Sequence, residues 1–405
     1  MLGASVVSAA ASDAFVLAGA RTPRGKGSSK GALHGVSPVR LVADLLHTLS
    51  ARCGQRAFDD VIVGCATQID DQGANLARSA VLLAGLAVET PAVTINRFCA
   101  SGLDAANITA ARVRAGDVSL AIAGGVESVS RVQTFADRGA LFTDPTVMAA
   151  AGTIHMGVAA DLVATLEGFQ REQLEAYALA TRAKANRAPV SPSIVPVRDD
   201  AGRVLLDRDE LAGYQPTAEE LAALPPAFAE LGASGQDAIA IARHPEARSI
   251  RHLHTRLTSP ALADAAALVV IGDRAAAERT GLRPRARIVA TATCAGDPVV
   301  MLTAGQVAIE RALARANLRA VDVAVFEFAE AFAALCIALQ RDLDLDHDRL
   351  NPNGGTIALG HAFGATGAIL LLGAVDELER RGERYAVIAV SGAAGLGVAT
   401  VIERV

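Results

Sequence analysis

The sequence predicts an α/β fold built from two related halves, with a long insertion in the first. Three observations carry this expectation. Short apolar runs alternate with alanine-rich helical segments toward both ends of the chain. Between about residues 131 and 254 the texture changes, and charges, prolines and turn residues become frequent. A strand–turn–helix unit around Cys99 has a counterpart of the same form around His361. With 405 residues, 51% hydrophobic and 20% charged, the chain can bury a large core in more than one unit.

Phe15–Ala18 reads as the first strand and leads into a polar turn, Ala20–Lys26. Apolar residues recur at helical spacing over Ser37–Leu49, with Ser37 as N-cap and Pro38 at the first helical position. Asp60–Ala66 is a second strand and Asn75–Leu86 a second helix. Pro91–Ile95 reads as a short buried strand that runs through Cys99 into the helix Leu103–Val113. Val118–Gly124 is a strand ending in Gly124-Gly125-Val126-Glu127-Ser128. This alternation predicts a mostly parallel sheet covered on both faces.

The stretch from 131 to 254 holds amphipathic helices such as Arg171–Ala185. A shorter one, Thr217–Leu224, is stopped by Pro225-Pro226. It reads as a lid-like insertion outside the sheet, or as a solvated elaboration of the surface. Strands and helices then return as Ala265–Ile271, Ala275–Thr280, Ala286–Thr291, Ala304–Ala316 and Val321–Phe328. Leu350–Gly367 repeats the form of the Cys99 unit and opens the helix Ala368–Leu378. Tyr385–Val390, followed by Ser391–Gly397, repeats the form of Val118–Ser128. The expected division is residues 1–275, holding the insertion, and residues 276–405.

Net charge is −5, so there is no basic footprint for nucleic acid. The five cysteines are odd in number and no pair has metal-ligand spacing, which suits a reduced, cytoplasmic protein without a metal. Met1–Ala11 is small and apolar but has no basic start, so no secretion signal is expected. No apolar run reads as long and clean enough to span a membrane.

The chemistry concentrates on Cys99 and His361. Cys99 sits between strand and helix, followed by Ala100, Ser101 and Gly102. A helix N-terminus aimed at a thiol favours thiolate, whereas a small buried cysteine can equally be packing. His361 lies in a turn of glycine and alanine, an unusual setting for a core histidine. If the halves face one another, the two residues meet, and a Cys–His pair is the minimum for acyl transfer through a thioester. The surrounding glycines leave backbone N–H groups free for an oxyanion.

Arg21-Thr-Pro-Arg-Gly-Lys, Asn96-Arg-Phe-Cys-Ala-Ser-Gly-Leu, Ala123-Gly-Gly-Val-Glu-Ser, His155-Met-Gly, Glu330-Ala-Phe-Ala and Asn353-Gly-Gly-Thr-Ile-Ala-Leu-Gly-His occur in this order. Together they resemble the thiolases over nearly the whole chain. The resemblance implies a five-layered αβαβα fold with a loop domain that binds coenzyme A. It implies Cys99 as the acylated nucleophile, His361 as the residue that activates it, and the backbone of Cys99 and Ala393 as oxyanion donors. His155, Met156, Ser259 and Phe332 fall at positions that contact the acyl group or CoA. Acyl-CoA and CoA are the implied partners, as substrate and product rather than cofactor, in a homodimer or homotetramer. The His-Met-Gly form resembles acetoacetyl-CoA thiolases, and Gly-Gly-Val-Glu-Ser resembles the branch of fatty-acid β-oxidation.

Four positions depart from the family pattern. Ser391 stands where thiolases carry a second cysteine that moves the α-proton. Ala329 stands where they carry Asn or His. Thr255–Pro260 and Ala362 replace the usual CoA-contacting stretch and the proline after histidine. Three functional readings follow: a thiolase-type acyltransferase with weakened Claisen chemistry, a decarboxylative condensing enzyme using Cys99 and His361 alone, or a non-catalytic subunit that binds acyl-CoA.

Overall fold

Each half of the chain builds the same run of strands. In the first, Phe15–Arg21 pairs antiparallel with Ala263–Gly272, which pairs antiparallel with Leu120–Ser128. Leu120–Ser128 pairs parallel with Val61–Gly64, and that strand pairs parallel with Ala92–Ile95. In the second, Ala286–Ala295 pairs antiparallel with Leu396–Arg404, which pairs antiparallel with Tyr385–Gly392. Tyr385–Gly392 pairs parallel with Val325–Phe328, and Phe326 makes a parallel bridge to Leu350. Order and direction agree throughout. The two runs join edge to edge where Phe15 and Val16 pair with Arg287 and Ala286. These pairings come from a computed structural model that describes residues 12–405; Met1–Ala11, where no secretion signal is expected, lies outside the described residues.

The expected mostly parallel sheet does not form. Connectivity explains the difference. Tyr385–Gly392 returns into Leu396–Arg404 through Ala393–Gly395 alone, and a connection that short makes antiparallel neighbours. Ala263–Gly272 returns from the insertion, not from a crossover helix.

Two helices fill the space between the halves. Ser101–Arg114 and Phe363–Arg381 are buried on most of their surface, and they pack on each other and on strands of both halves. Pro38–Cys53 and Leu76–Leu83 cover the outer face of the first half. Ala304–Ala316 covers that of the second, with Ala333–Asp342 packed between it and the insertion helices Met156–Leu166 and Arg171–Arg187. The result is five layers, helix–strand–helix–strand–helix.

The local signals act as expected at the start of Pro38–Cys53: the Ser37 side chain accepts from the Arg40 N–H, and the helix closes on Gly54 at φ +63°. Three expectations change. Ala92–Ile95 is an edge strand rather than a buried one, and Val93 is 41% exposed. The Gly124–Ser128 motif lies inside the strand Leu120–Ser128, not in a turn after it. Pro145–Leu166 reaches the length and mean hydropathy of a membrane span, 1.5. It is nonetheless broken at Gly152, φ +63°, and its second part, Met156–Leu166, is largely buried core.

Candidate active site

After Ala92–Ile95 the chain turns sharply at Phe98, whose φ of +49° lies in the left-handed region. Ser101 closes the turn: its hydroxyl donates to the Phe98 carbonyl at 2.6 Å and accepts from the Arg97 N–H at 2.8 Å. Cys99 is left two residues ahead of the Ser101–Arg114 helix and 6% exposed. The glycines nearby serve close approach. A Cβ on Gly102 would lie 2.3 Å from the Gly364 carbonyl oxygen, and one on Gly125 would lie 2.0 Å from it. Without side chains there, the turn of the second half comes down onto the turn of the first.

In the second half a short helix, Thr356–Leu359, ends at Gly360 with φ +99°. The His361 N–H then donates to Ala261 O at 2.8 Å, and its carbonyl accepts from the Ala263 N–H at 3.1 Å. The buried imidazole places Nδ1 2.9 Å from the Thr366 hydroxyl, which also accepts from the Ala362 N–H at 3.1 Å. That hydroxyl can serve either ring tautomer. Donating to Nδ1, it leaves Nε2–H as a hydrogen-bond donor. Accepting from Nδ1–H, it leaves Nε2 free as a base.

Glu127 ties the Ala66–Thr67 loop, which follows Val61–Gly64, to the turn that carries His361. Its Oε2 accepts from the Ala66 N–H at 2.9 Å and the Gly364 N–H at 3.1 Å. Its Oε1 accepts from the Thr67 N–H at 3.2 Å and Gln72 Nε2 at 2.8 Å. Burial pushes its carboxyl above the usual carboxylate range, toward the neutral form, while these four donors favour the carboxylate.

Burial decides the charge state of the pair. The Cys99 thiol is pushed up to about 12, first by burial and then by the nearby Glu127 carboxylate. His361 is pushed down to about 4, by burial and then by the Arg24 cation. At neutral pH both groups are uncharged. Of the two readings left open for Cys99, this favours the neutral thiol: the helix dipole is outweighed by dry surroundings and a like charge. Alkylation of Cys99 by iodoacetamide is therefore expected to climb about tenfold per pH unit well past pH ~8.5, where an ordinary thiol levels off. Peptide mapping across pH 7 to 11 checks this; a plateau near pH ~8.5 would contradict burial as the governing effect.

Cys99 opens into a narrow cavity of about 20 Å³ walled by Phe98, Phe135, Phe142, Met156, Phe363 and Ala393. Phe135, Phe142, Met156 and Ala393 also wall an outer cleft of about 300 Å³, which His155 lines as well. Cys99, Met156 and Ala393 thus share one space. Ala329 belongs to the same buried apolar cluster as Cys99, Ala362 and Phe363. The His361 ring stands edge-on to Phe363, centroids 5.0 Å apart. Phe332 lies farther out, in a chain of rings running from His254 through Phe332 and Phe228 to His155. Ser259 donates to the Thr255 carbonyl at 2.9 Å and lines neither space.

Ser391, at the position of the usual second cysteine, does not line the Cys99 cavity. Its hydroxyl donates to Leu302 O at 2.6 Å and accepts from the Gly305 N–H at 3.0 Å. Along a strand, successive side chains face opposite sides. In Tyr385–Gly392 this turns residue 391 toward the start of the Ala304–Ala316 helix and its neighbour Gly392 toward the Cys99 turn, where a Cβ would lie 3.1 Å from the Arg97 carbonyl oxygen; Ala393, beyond the strand, reaches the cavity. Among the described residues no cluster of His, Cys, Asp or Glu could hold a metal ion.

Sequence reasoning missed Glu127, Thr366 and the phenylalanines at 135 and 142. For Glu127 a signal existed, since a carboxylate inside an apolar strand requires partners. Glu127→Gln keeps the shape but puts an NH₂ against two N–H donors, whichever way the amide turns. It should lower unfolding free energy by about 2–4 kcal/mol, measured by urea denaturation. An unchanged midpoint would mean that the clamp carries no load.

Comparison with known proteins agrees with this architecture. The family model described as thiolase, N-terminal domain, matches residues 14–236, and that of the thiolase C-terminal domain matches residues 282–404. A β-ketoadipyl-CoA thiolase of Escherichia coli is 37% identical over 421 residues, covering 97% of this chain and 100% of that protein. A 3-ketoacyl-CoA thiolase of Bacillus subtilis is 34% identical over 412 residues, covering 96% and 99%. The crystal structure of the Bacillus anthracis acetyl-CoA acetyltransferase superposes with a TM-score of 0.82 at 29% identity, covering 98% of this chain and 100% of that one. Two matched domains, a shared five-layer architecture and end-to-end similarity leave one assignment: the chain belongs to the thiolase family.

Proposed function

We propose that the protein is an acyl-CoA acyltransferase of the thiolase type that carries its acyl group as a thioester on Cys99. The observation that supports this most is the seating of Cys99 at the inner end of an apolar cleft, on a turn whose Gly102 lies directly against the Gly364 carbonyl of the turn that carries His361. In the proposed step the Cys99 sulfur attacks the acyl carbonyl as its proton passes to His361. The C–S bond to CoA, or the Cα–Cβ bond of a 3-ketoacyl chain, then breaks, and the leaving group takes the proton. Because the resting thiol is neutral, proton transfer accompanies attack. The N–H groups of Cys99 and Ala393 are the proposed oxyanion donors. His155 and Met156 are the proposed lining of the acyl pocket and Ser259 and Phe332 proposed substrate or CoA contacts, with CoA as substrate and no resident cofactor.

The domain division proposed is 1–275 and 276–405. A homodimer or homotetramer in the cytoplasm is the proposed setting. The exposed edge strand Ala92–Ile95, beside exposed Leu82 and Leu83, supports self-association.

The position of Ser391 favours a second reading for the condensation half. A hydroxyl is far less acidic than a thiol, and this one is engaged by Leu302 and Gly305. A decarboxylative condensation needs no α-proton base at that position. A non-catalytic acyl-CoA-binding role is the remaining alternative. The deciding experiment runs acetoacetyl-CoA plus CoA beside malonyl-CoA plus an acyl-CoA, with peptide mapping of Cys99. Thiolysis in the first supports the thiolase reading, and product only in the second moves the decarboxylative reading ahead. Absence of any acyl group on Cys99 in both overturns both enzymatic readings.

A further inference from the structure

We infer that the acyl site selects uncharged apolar acyl groups and rejects chains that end in a carboxylate. This deepens the proposed function and rests on the Cys99 cavity being the acyl site. Aromatic residues are only 3% of the chain, with 11 phenylalanines in all. Four of those phenylalanines, Phe98, Phe135, Phe142 and Phe363, wall the cavity at Cys99. Phe135 and Phe142 lie 4.2 Å apart between centroids, and Phe98 meets Phe142 edge to face at 6.2 Å. Such a wall offers dispersion and hydrophobic contact to alkyl or aryl groups and nothing to an anion.

The charges point the same way. Among the described residues lining the inner cavity and the outer cleft there is no lysine and no arginine. His155, in the outer cleft, is held toward its neutral form by burial. Apart from Cys99, the one ionisable side chain on the inner wall is Asp137, a carboxylate. An acyl chain ending in a carboxylate would give up water for phenyl rings, find no cation, and meet a like charge. The Escherichia coli relative is named for a dicarboxylic acyl group, β-ketoadipyl, and similarity along the whole chain does not carry that preference through this wall.

The test is equilibrium binding of hexanoyl-CoA and adipyl-CoA, six-carbon chains that differ only in a terminal methyl or carboxylate. Titrations use the wild-type protein and, to exclude bond formation, the Cys99→Ala variant. Hexanoyl-CoA is expected to bind at least about tenfold tighter. Asp137 is exposed and can be replaced without disturbing the core. Asp137→Asn should narrow the ratio and Asp137→Arg should bring adipyl-CoA level or ahead. Equal or tighter binding of adipyl-CoA to the wild type overturns the inference, as does a ratio that Asp137→Arg leaves unchanged. If neither acyl-CoA binds, the proposed function itself falls and takes the inference with it. If hexanoyl-CoA binds but never acylates Cys99, the transfer reading fails while the selectivity stands.

Discussion

Cys99→Ala is expected to lower acyl transfer by roughly 10⁶-fold, the scale seen when a covalent nucleophile is removed, while acyl-CoA binding survives. The size of the effect follows from the route. Without the sulfur no thioester forms, and the single remaining path is direct attack by CoA or water on a bound acyl-CoA. The loss should belong to Cys99 alone. Cys53, Cys65, Cys294 and Cys336 are buried, line neither the cavity nor the cleft, and are all held toward the thiol by burial. Substituting each by alanine should leave transfer within about threefold of wild type, because a small buried side chain contributes packing and little else. Mass mapping after incubation with an acyl-CoA should find the added mass on the peptide bearing Cys99. A label on Cys65 or Cys336, or a Cys99→Ala variant that still turns over, would overturn the assignment.

How much of this was legible beforehand depends on whether a property is local. The Ser37 cap, the Cys99 turn and its counterpart at His361 are written in short stretches whose spacing sets geometry, and those elements lie where expected. The charge state of Cys99 is not local. It depends on what closes over the turn, and the turn of the second half brings burial while Glu127 brings a like charge. The direction of Ser391 is not local either, because strand register decides which face a residue takes, and one position exchanges Ser391 for its neighbour. Glu127 was visible within a quoted motif, yet its four donors come from Ala66, Thr67, Gln72 and Gly364, which only the folded chain brings together. The edge position of Ala92–Ile95 has the same origin, since an apolar run does not say how many neighbours it will have.

Glu327→Gln should stabilise the protein above neutral pH, and by more than any other single change considered. Glu327 sits in Val325–Phe328, 5% exposed, beside a cleft of about 540 Å³ that Arg24, Asn353, Gly373 and Glu377 also line. Burial first, and the neighbouring Glu377 second, push its carboxyl up to about 8, while Arg24 and Lys184 pull the other way. A folded-state value above the unfolded one means that the native protein keeps a proton the unfolded chain has released. Its contribution is therefore fully present below about pH 4.5 and is lost progressively as pH rises toward 8. Integrated over that window the loss is up to about 5 kcal/mol. Glutamine is neutral throughout and removes this slope. His361 acts in the opposite sense: its value is pushed down to about 4, so its contribution fades as pH falls from 6.5. Above pH 6.5 that residue is neutral in both states, and the Glu327 slope stands alone of the two. Urea midpoints at pH 5 and pH 8 are the measurement. Glu327→Gln should keep the His361 slope alone and gain stability from pH 5, while wild type falls behind it as pH rises and is less stable at pH 8 by several kcal/mol. Parallel slopes in the two proteins would show that the cleft already supplies Glu327 with enough water to titrate as an ordinary carboxylate.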